Sequence, residues 1–354
     1  MSIMSGGSKN KNIIMLMIIL LVLIGGLLAF GVLENFEADV VKITPPDENQ
    51  LQPGRILSDE KIYISGTGTG NFRTHCKESH INNDDPLLYP RQTGAAHEHV
   101  FFGFTKTDAF TTIDILENAT DFSTCEGGAL NQAAYWVPSL FTANGERLEY
   151  IEPLFYYKSG FHLAANIINV PPQGLVMIAG QSLSEPQDVV SAKYRCASWV
   201  APLPQFDEGD PMDHVAYLPD CPIDDLLEIR IVFPQCWDGE NLTSHDQRSH
   251  MAYPISAEIP HVGTGRCPDT HPVAIPEISY NFAFYVTETT GSPITWRLSS
   301  DMDPSHPNGS SLHADWMNGW DPEIMEMIVK NCINTGYDCN VGLLGDGTRL
   351  QEIY

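Results

Sequence analysis

The chain has 354 residues, 43% hydrophobic and 18% charged, which excludes a wholly disordered polymer and supplies enough apolar side chains for a sizeable core. Nineteen Lys and Arg against 45 Asp and Glu give a formal charge of −26, a surface that repels phosphate backbones and argues against nucleic acid as a partner. With 28 glycines and 25 prolines, the composition predicts many turns and short strands.

Residues 13–33 form a run of 21 without a charged or strongly polar side chain. At about 1.5 Å per residue such a helix spans the ~30 Å hydrocarbon core of a bilayer. The run exceeds the ~7–15 apolar residues of a cleavable signal peptide, and Ala29-Phe30-Gly31 is a poor cleavage site, so it reads as an uncleaved signal-anchor. Lys9 and Lys11 precede it and Glu34, Glu37 and Asp39 follow, which places residues 1–12 in the cytoplasm and the bulk of the chain outside or in a lumen. The expected topology is a single-pass type II membrane protein, with the membrane as one partner. Residues 34–70 are acidic and then Pro- and Gly-rich, through Pro45-Pro46 and Pro53-Gly54, and read as a stalk.

From residue 71 to about 340 the pattern is mainly β. Short apolar or alternating runs at 99–104, 111–116, 175–178, 227–233 and 278–287 are separated by Gly, Pro, Asn and Asp clusters. A β-sandwich or jelly-roll-like exterior domain with long loops is predicted. One helix is expected at 322–332, with Asp321 as cap, Pro322 in the first turn and Ile324, Met325, Ile328 and Val329 as its apolar stripe. Residues 341–354 read as a C-terminal tail.

All eight cysteines lie beyond the apolar run, and an even number in an oxidising compartment predicts disulfides. Sequential pairing is the working connectivity, Cys76 with Cys125, Cys196 with Cys221, Cys236 with Cys267 and Cys332 with Cys339, because the later pairs close local loops. Asn118, Asn241 and Asn308 head N-x-S/T acceptors for glycosylation on the same side of the membrane.

Chemistry concentrates in the histidines. In His97-Glu98-His99, strand geometry would turn both imidazoles to one face with Glu98 opposite. His313-Ala314-Asp315 repeats the spacing with a carboxylate, and His245 and His250 frame a polar loop. Together these supply three or four N/O ligands for a divalent transition metal, or a His/Asp acid–base pair without one. Taken singly, each histidine is equally well read as hydrogen-bonded to loop backbone. Trp316, Trp320 and Tyr253 are candidates for stacking on sugar rings, whereas Tyr135-Trp136 reads as core. No Gly-x-Ser-x-Gly elbow, P-loop, dinucleotide fingerprint or His-Glu-x-x-His motif occurs, so serine-hydrolase, nucleotide and zincin readings lose their main support.

Eight segments in order carry a resemblance. They are His97-Glu-His-Val-Phe-Phe-Gly103, Ser123-Thr-Cys125, Ala134-Tyr-Trp-Val-Pro-Ser-Leu140, Gly174-Leu-Val-Met-Ile-Ala-Gly180, Phe233-Pro-Gln-Cys-Trp-Asp-Gly239, Ser249-His-Met-Ala-Tyr-Pro254, Cys267-Pro-Asp-Thr-His-Pro272 and His313-Ala-Asp-Trp-Met-Asn-Gly-Trp320. From about residue 71 to 332 the chain resembles the domain-of-unknown-function family DUF1996, known chiefly from secreted fungal proteins. The resemblance implies association with cell-wall carbohydrate and singles out His97, His99, His250, His313 and Asp315. The chain departs from the pattern at Pro90-Arg91, where Pro-Gly is expected, and in its apolar N-terminal run.

The expected function is therefore carbohydrate-directed. An enzyme would use the His/Asp cluster for acid–base cleavage of a polysaccharide, with His97, His99 and His313 as metal ligands where a metal assists. A binding protein would use the aromatics alone, and a structural surface glycoprotein neither. In the first reading His97, His99, His250, His313 and Asp315 converge on one concave face.

Overall fold

Apolar side chains recurring at every second position build two large sheets, and their shared face is the core. The computed structural model describes residues 40–65, 67–120, 122–181, 190–199, 214–257 and 262–353. The segments expected to be cytoplasmic and membrane-spanning, at 1–12 and 13–33, lie outside the described residues. Among the described residues no helix is long and apolar enough to cross a membrane.

The strands of the two sheets are, in chain order, β1 (Tyr63–Ile64), β2 (Asn71–His75), β3 (Glu78–Asn82), β4 (His99–Gly103), β5 (Ala134–Pro138), β6 (Ile151–Lys158), β7 (Val176–Gly180), β8 (Ala192–Cys196), β9 (Leu226–Val232), β10 (Glu277–Tyr285), β11 (His313–Met317) and β12 (Tyr337–Val341). One sheet has seven strands in the order β8-β9-β10-β6-β2-β12-β1, and the other has five in the order β3-β4-β5-β11-β7. All their pairings are antiparallel except that of β12 with β2.

The sheets face one another through aromatic rings. Phe102 of β4 lies 5.5 Å from Phe155 of β6 and 5.8 Å from Phe282 of β10, while Tyr135 of β5 lies 4.5 Å from Phe155 and 5.7 Å from Tyr280. These offset and edge-on pairs add about 0.5–1.5 kcal/mol each beyond the area they bury. The five-stranded sheet is covered on its other side too. Phe101, Trp136, Ile178 and Met317 form a second core under Leu87, Phe104 and Leu116, which come from the segments on either side of β4, Leu116 from a short helix. That double cover explains why β4, β5, β7 and β11 are buried at every position.

All four disulfides follow the sequential order: Cys76–Cys125, Cys196–Cys221, Cys236–Cys267 and Cys332–Cys339. The expected C-terminal helix is present as Pro322–Met327, with the Asp321 carboxylate accepting from the Glu323 and Ile324 amides, and it continues into a π-helical turn, Ile328–Ile333. The run at 111–116, expected as a strand, forms a helix instead, Ile113–Glu117. The Thr112 side chain accepts from the Ile115 amide there, and this cap outweighs the β propensity of the isoleucines.

The stalk and the tail are corrected as well. Arg55–Leu57 pairs with Thr348–Leu350, and Tyr63–Ile64 is the edge strand β1. Arg55 forms an ion pair with Asp346 and donates from Nε to Thr348 Oγ1 at 2.8 Å. Ile62, Leu344 and Leu350 are buried. The two segments clasp each other because each brings apolar side chains that need cover, so the compact unit runs from Val40 to Tyr354 rather than from 71 to 340. Asn118, Asn241 and Asn308 are all exposed.

Phe155 is fully buried and touches rings from both sheets, so Phe155→Ala is expected to cost about 3–5 kcal/mol in urea unfolding. Ile167→Ala, at an exposed site, should change stability by no more than about 0.5 kcal/mol. Equal costs would contradict the two-sheet core.

Candidate metal centre

The site grows out of strand register. His99 of β4 pairs with Pro138 of β5, and Asp315 of β11 pairs with Trp136 of β5. Carrying that second register on by two residues aligns His313 with Pro138. His99 and His313 thus flank one proline across three strands, on backbones about 10 Å apart. A proline ring between them is too short to keep the imidazoles apart, and their centroids close to 5.7 Å. His97, two residues before His99 and on the same side, completes the group at 4.2 Å from His99 and 5.0 Å from His313. On the edge strand Gly180 faces His313 with φ 73°, where a Cβ would strike the Leu312 carbonyl oxygen at 2.2 Å. Only glycine lets β7 approach there.

The ring nitrogens are arranged for ligation. His99 Nδ1 bonds the Asp84 carbonyl at 3.0 Å and His313 Nδ1 bonds the Ser311 carbonyl at 2.8 Å. Because a carbonyl only accepts, both Nδ1 atoms carry the proton and both Nε2 atoms carry a lone pair. Nε2 of His97, His99 and His313 are each buried without a hydrogen-bond partner, and the three residues offer ligand atoms within 4.8 Å of one another. Shifts below about 1 Å per ring would bring them to the ~3.4 Å spacing of a shell with bonds of ~2.0–2.1 Å. Burial holds His97 down at about 4 and His313 at about 3, and it pushes His99 well below the usual imidazole range, helped by its two neighbours. All three are neutral near pH 7, so a metal meets no proton competition.

Two carboxyls lie on the buried side. Asp315 is 0% exposed, both its oxygens lack hydrogen-bond partners, and burial followed by the Asp85 charge pushes its carboxyl well up. Asp85 accepts from the Leu87 and Leu88 amides at 2.8 and 2.9 Å, yet burial still raises it. Asp85, His99 and Asp315 form a second set of possible ligands within 4.8 Å of one another. Arg248, exposed on the loop beside β7, donates to the Ile178 carbonyl at 3.4 Å, and its charge disfavours the charged form of His313 and favours that of Asp315.

Several expected members stand elsewhere. His250 is buried, but Nδ1 bonds Ser244 Oγ at 3.0 Å and Nε2 bonds the Val176 carbonyl at 2.7 Å, so it pins its loop to β7 with no lone pair left for a metal. His245 is exposed. Trp316 and Trp320 are buried rather than exposed stacking platforms. Strand alternation turns Trp316 inward as it turns Asp315 outward, and Trp320 donates from Nε1 to Tyr157 Oη at 2.8 Å. Tyr253 is half-buried and donates its hydroxyl to the Val232 carbonyl at 2.8 Å. Asp85 and Arg248 were missed in the sequence. The run Asp84-Asp85-Pro86 was a turn signal with a spare carboxylate, whereas nothing in the sequence marked Arg248.

In metal-free protein the buried histidines bind protons less readily when folded than when unfolded, so their stabilising effect is complete above about pH 6.5 and is lost as pH falls towards 3. Asp315, held protonated by the fold, acts with the opposite sign above the ordinary carboxylate range. His313→Gln is therefore expected to remove up to about 1.4 kcal/mol per pH unit of acid-side slope between about pH 6 and 4. Urea unfolding of the chelator-treated protein checks this, and unchanged slope would refute the burial of a neutral imidazole.

A family model for a domain of unknown function, DUF1996, matches residues 85–320. No curated protein and no solved structure matches the chain. The matched span starts at Asp85 and ends at Trp320, and so contains every residue of the cluster. The chain belongs to the DUF1996 family.

Proposed function

We propose that this protein is a metal-dependent enzyme acting on polysaccharide outside the cell or in a lumen, held at the membrane by residues 13–33. One observation carries the reading: three imidazoles converge with ligand nitrogens within 4.8 Å of one another, and the Nε2 of each is buried without a hydrogen-bond partner. A fold that left three such atoms unsatisfied would lose about 1–3 kcal/mol for each, whereas one divalent transition metal satisfies them together. Three protein ligands with a further position open is the arrangement of catalytic rather than structural zinc-type sites.

The ion would supply Lewis acidity and a bound water of lowered pKa. The chain's own groups do the rest. His99 and His313 are fixed by their carbonyl bonds, and Asp85 and Asp315 close the buried side. His97 is half-exposed and, with Arg248, marks the side open to substrate. Polysaccharide as substrate is supported by Tyr89 and Phe110, 40% and 52% exposed, the first on the loop that carries Asp85 and the second next to Ala109, whose amide donates to Asp84 at 3.2 Å. The anchor is supported by the apolar run and the lysines before it. Four disulfides and three exposed glycosylation acceptors suit an oxidising exterior.

Elemental analysis of the full-length chain, purified in detergent and dialysed, should find close to one zinc-, copper- or manganese-type ion per chain. His99→Ala and His313→Ala should each lower occupancy at least tenfold, and chelation should abolish polysaccharide cleavage that added metal restores. Metal-free protein that keeps its cleavage activity would refute the proposal.

A further inference from the structure

The outer face of the seven-stranded sheet is on the opposite side of the molecule from the histidines, and its charge runs against that of the chain. Among the described side chains, Lys193, Arg195, Arg230, Lys158 and Arg73 project from it, five of only 19 basic residues, against three acids, Glu228, Glu277 and Asp338, which pair with Arg195, Lys158 and Arg73. In a protein of charge −26 a net basic sheet face needs an explanation.

The face contains a groove of about 460 Å³ with Leu154 and Ala283 in its floor and Tyr156, Arg195, Arg230 and Tyr285 among its walls. Its donors are only partly used. Arg195 reaches Glu228 through Nε, while Nη1 is buried without a hydrogen-bond partner. Arg230 donates from Nε to Asn281 Oδ1 at 3.1 Å, which orients the guanidinium and leaves its terminal nitrogens for a ligand. Tyr156 lies between two cations, with the Arg73 guanidinium 5.1 Å and the Lys158 ammonium 5.7 Å from its ring centroid. Tyr285, at the far end of β10, is 62% exposed. Ser279, which pairs with Tyr156, stands six residues before Tyr285, so the backbone positions that carry the two rings are about 20 Å apart along the strands, room for several sugar units.

We infer that this groove binds an anionic polysaccharide, carboxylated or sulfated, with Arg195 and Arg230 meeting its acid groups and the two tyrosines stacking on its sugar rings. Planar guanidinium forks match carboxylate and sulfate oxygens in pairs, and aromatic faces take the C–H sides of pyranose rings. An acidic peptide would use the arginines but would leave the ring spacing unexplained. The groove makes no use of the histidine cluster, so the inference stands or falls independently of the metal centre.

Calorimetric titration of the full-length chain in detergent with polygalacturonate and with dextran sulfate tests it. At least one should bind, with affinity falling as salt rises, and dextran should not. Binding of polygalacturonate alone would identify a carboxylated ligand, and of dextran sulfate alone a sulfated one. Arg195→Gln combined with Arg230→Gln should weaken binding by about tenfold or more through loss of charge-assisted hydrogen bonds. Tyr285→Ala, at a ring too exposed to support the fold, should weaken it severalfold, and this variant decides the matter if the double variant does not fold. The inference is overturned if neither polymer binds, if polyglutamate binds as tightly as the better polymer, or if folded variants keep wild-type affinity.

Discussion

Antiparallel register among β4, β5 and β11 is the constraint on which the site depends. It sets His99 and His313 on either side of Pro138, and it sets Asp315 beside Trp136 one step further along the same face. A slip of one residue would exchange the two faces of a strand, sending the imidazole or carboxylate into the aromatic core and bringing Trp316 out. The register is in turn held by what lies on each face. Val100, Phe102, Tyr135, Val137, Ala314 and Trp316 fill the inter-sheet core, and Phe101 and Trp136 fill the outer one. Tyr280, from the opposite sheet, donates to the Asp315 carbonyl at 2.7 Å and fixes the height of β11. Core packing and site geometry are the same fact seen from two sides of one sheet.

Burial gives the site its chemistry. An imidazole in water titrates near neutrality, but here desolvation keeps His97, His99 and His313 neutral, while the same dry surroundings push Asp85 and Asp315 towards protonation. The result is a cluster of neutral donors with unsatisfied lone pairs, which is costly empty and favourable around a cation. Arg248 at the rim opposes any further positive charge on His313. The loop from Asp84 to His97 also contains Arg91 at φ 63°, in the left-handed region, where a non-glycine residue costs about 1–2 kcal/mol. This is the position where the resemblance to DUF1996 led one to expect glycine, and the backbone has kept the glycine-type conformation.

Much of this was legible in the sequence, for identifiable reasons. H-x-H and H-x-D put like side chains on one face by strand period, and the two motifs were grouped because polar, titratable side chains serve poorly as core filler; His97 itself stands just before β4 and still reaches the group. His250 was grouped with them on residue type, yet a histidine with two backbone or hydroxyl partners looks the same in sequence as one with none. Trp316 and Trp320 read as surface residues because their neighbours are polar; strand alternation buries Trp316, and Trp320, past the end of β11, is buried against Phe72 and Tyr157, both of them tertiary effects. The segments at 34–70 and 341–354 read as a stalk and a tail, the first because it is acidic and then Pro- and Gly-rich. Ile62, Leu344 and Leu350 become core only when the two ends meet.

The central claim is that His97, His99 and His313 hold one divalent transition metal through Nε2. X-ray absorption at the metal edge of the purified full-length protein tests it most directly. The account predicts a first shell containing three imidazole nitrogens at about 2.0–2.1 Å with outer-shell scattering from their rings, reduced in His313→Ala. A shell of oxygens only, or one unchanged by that substitution, would contradict it.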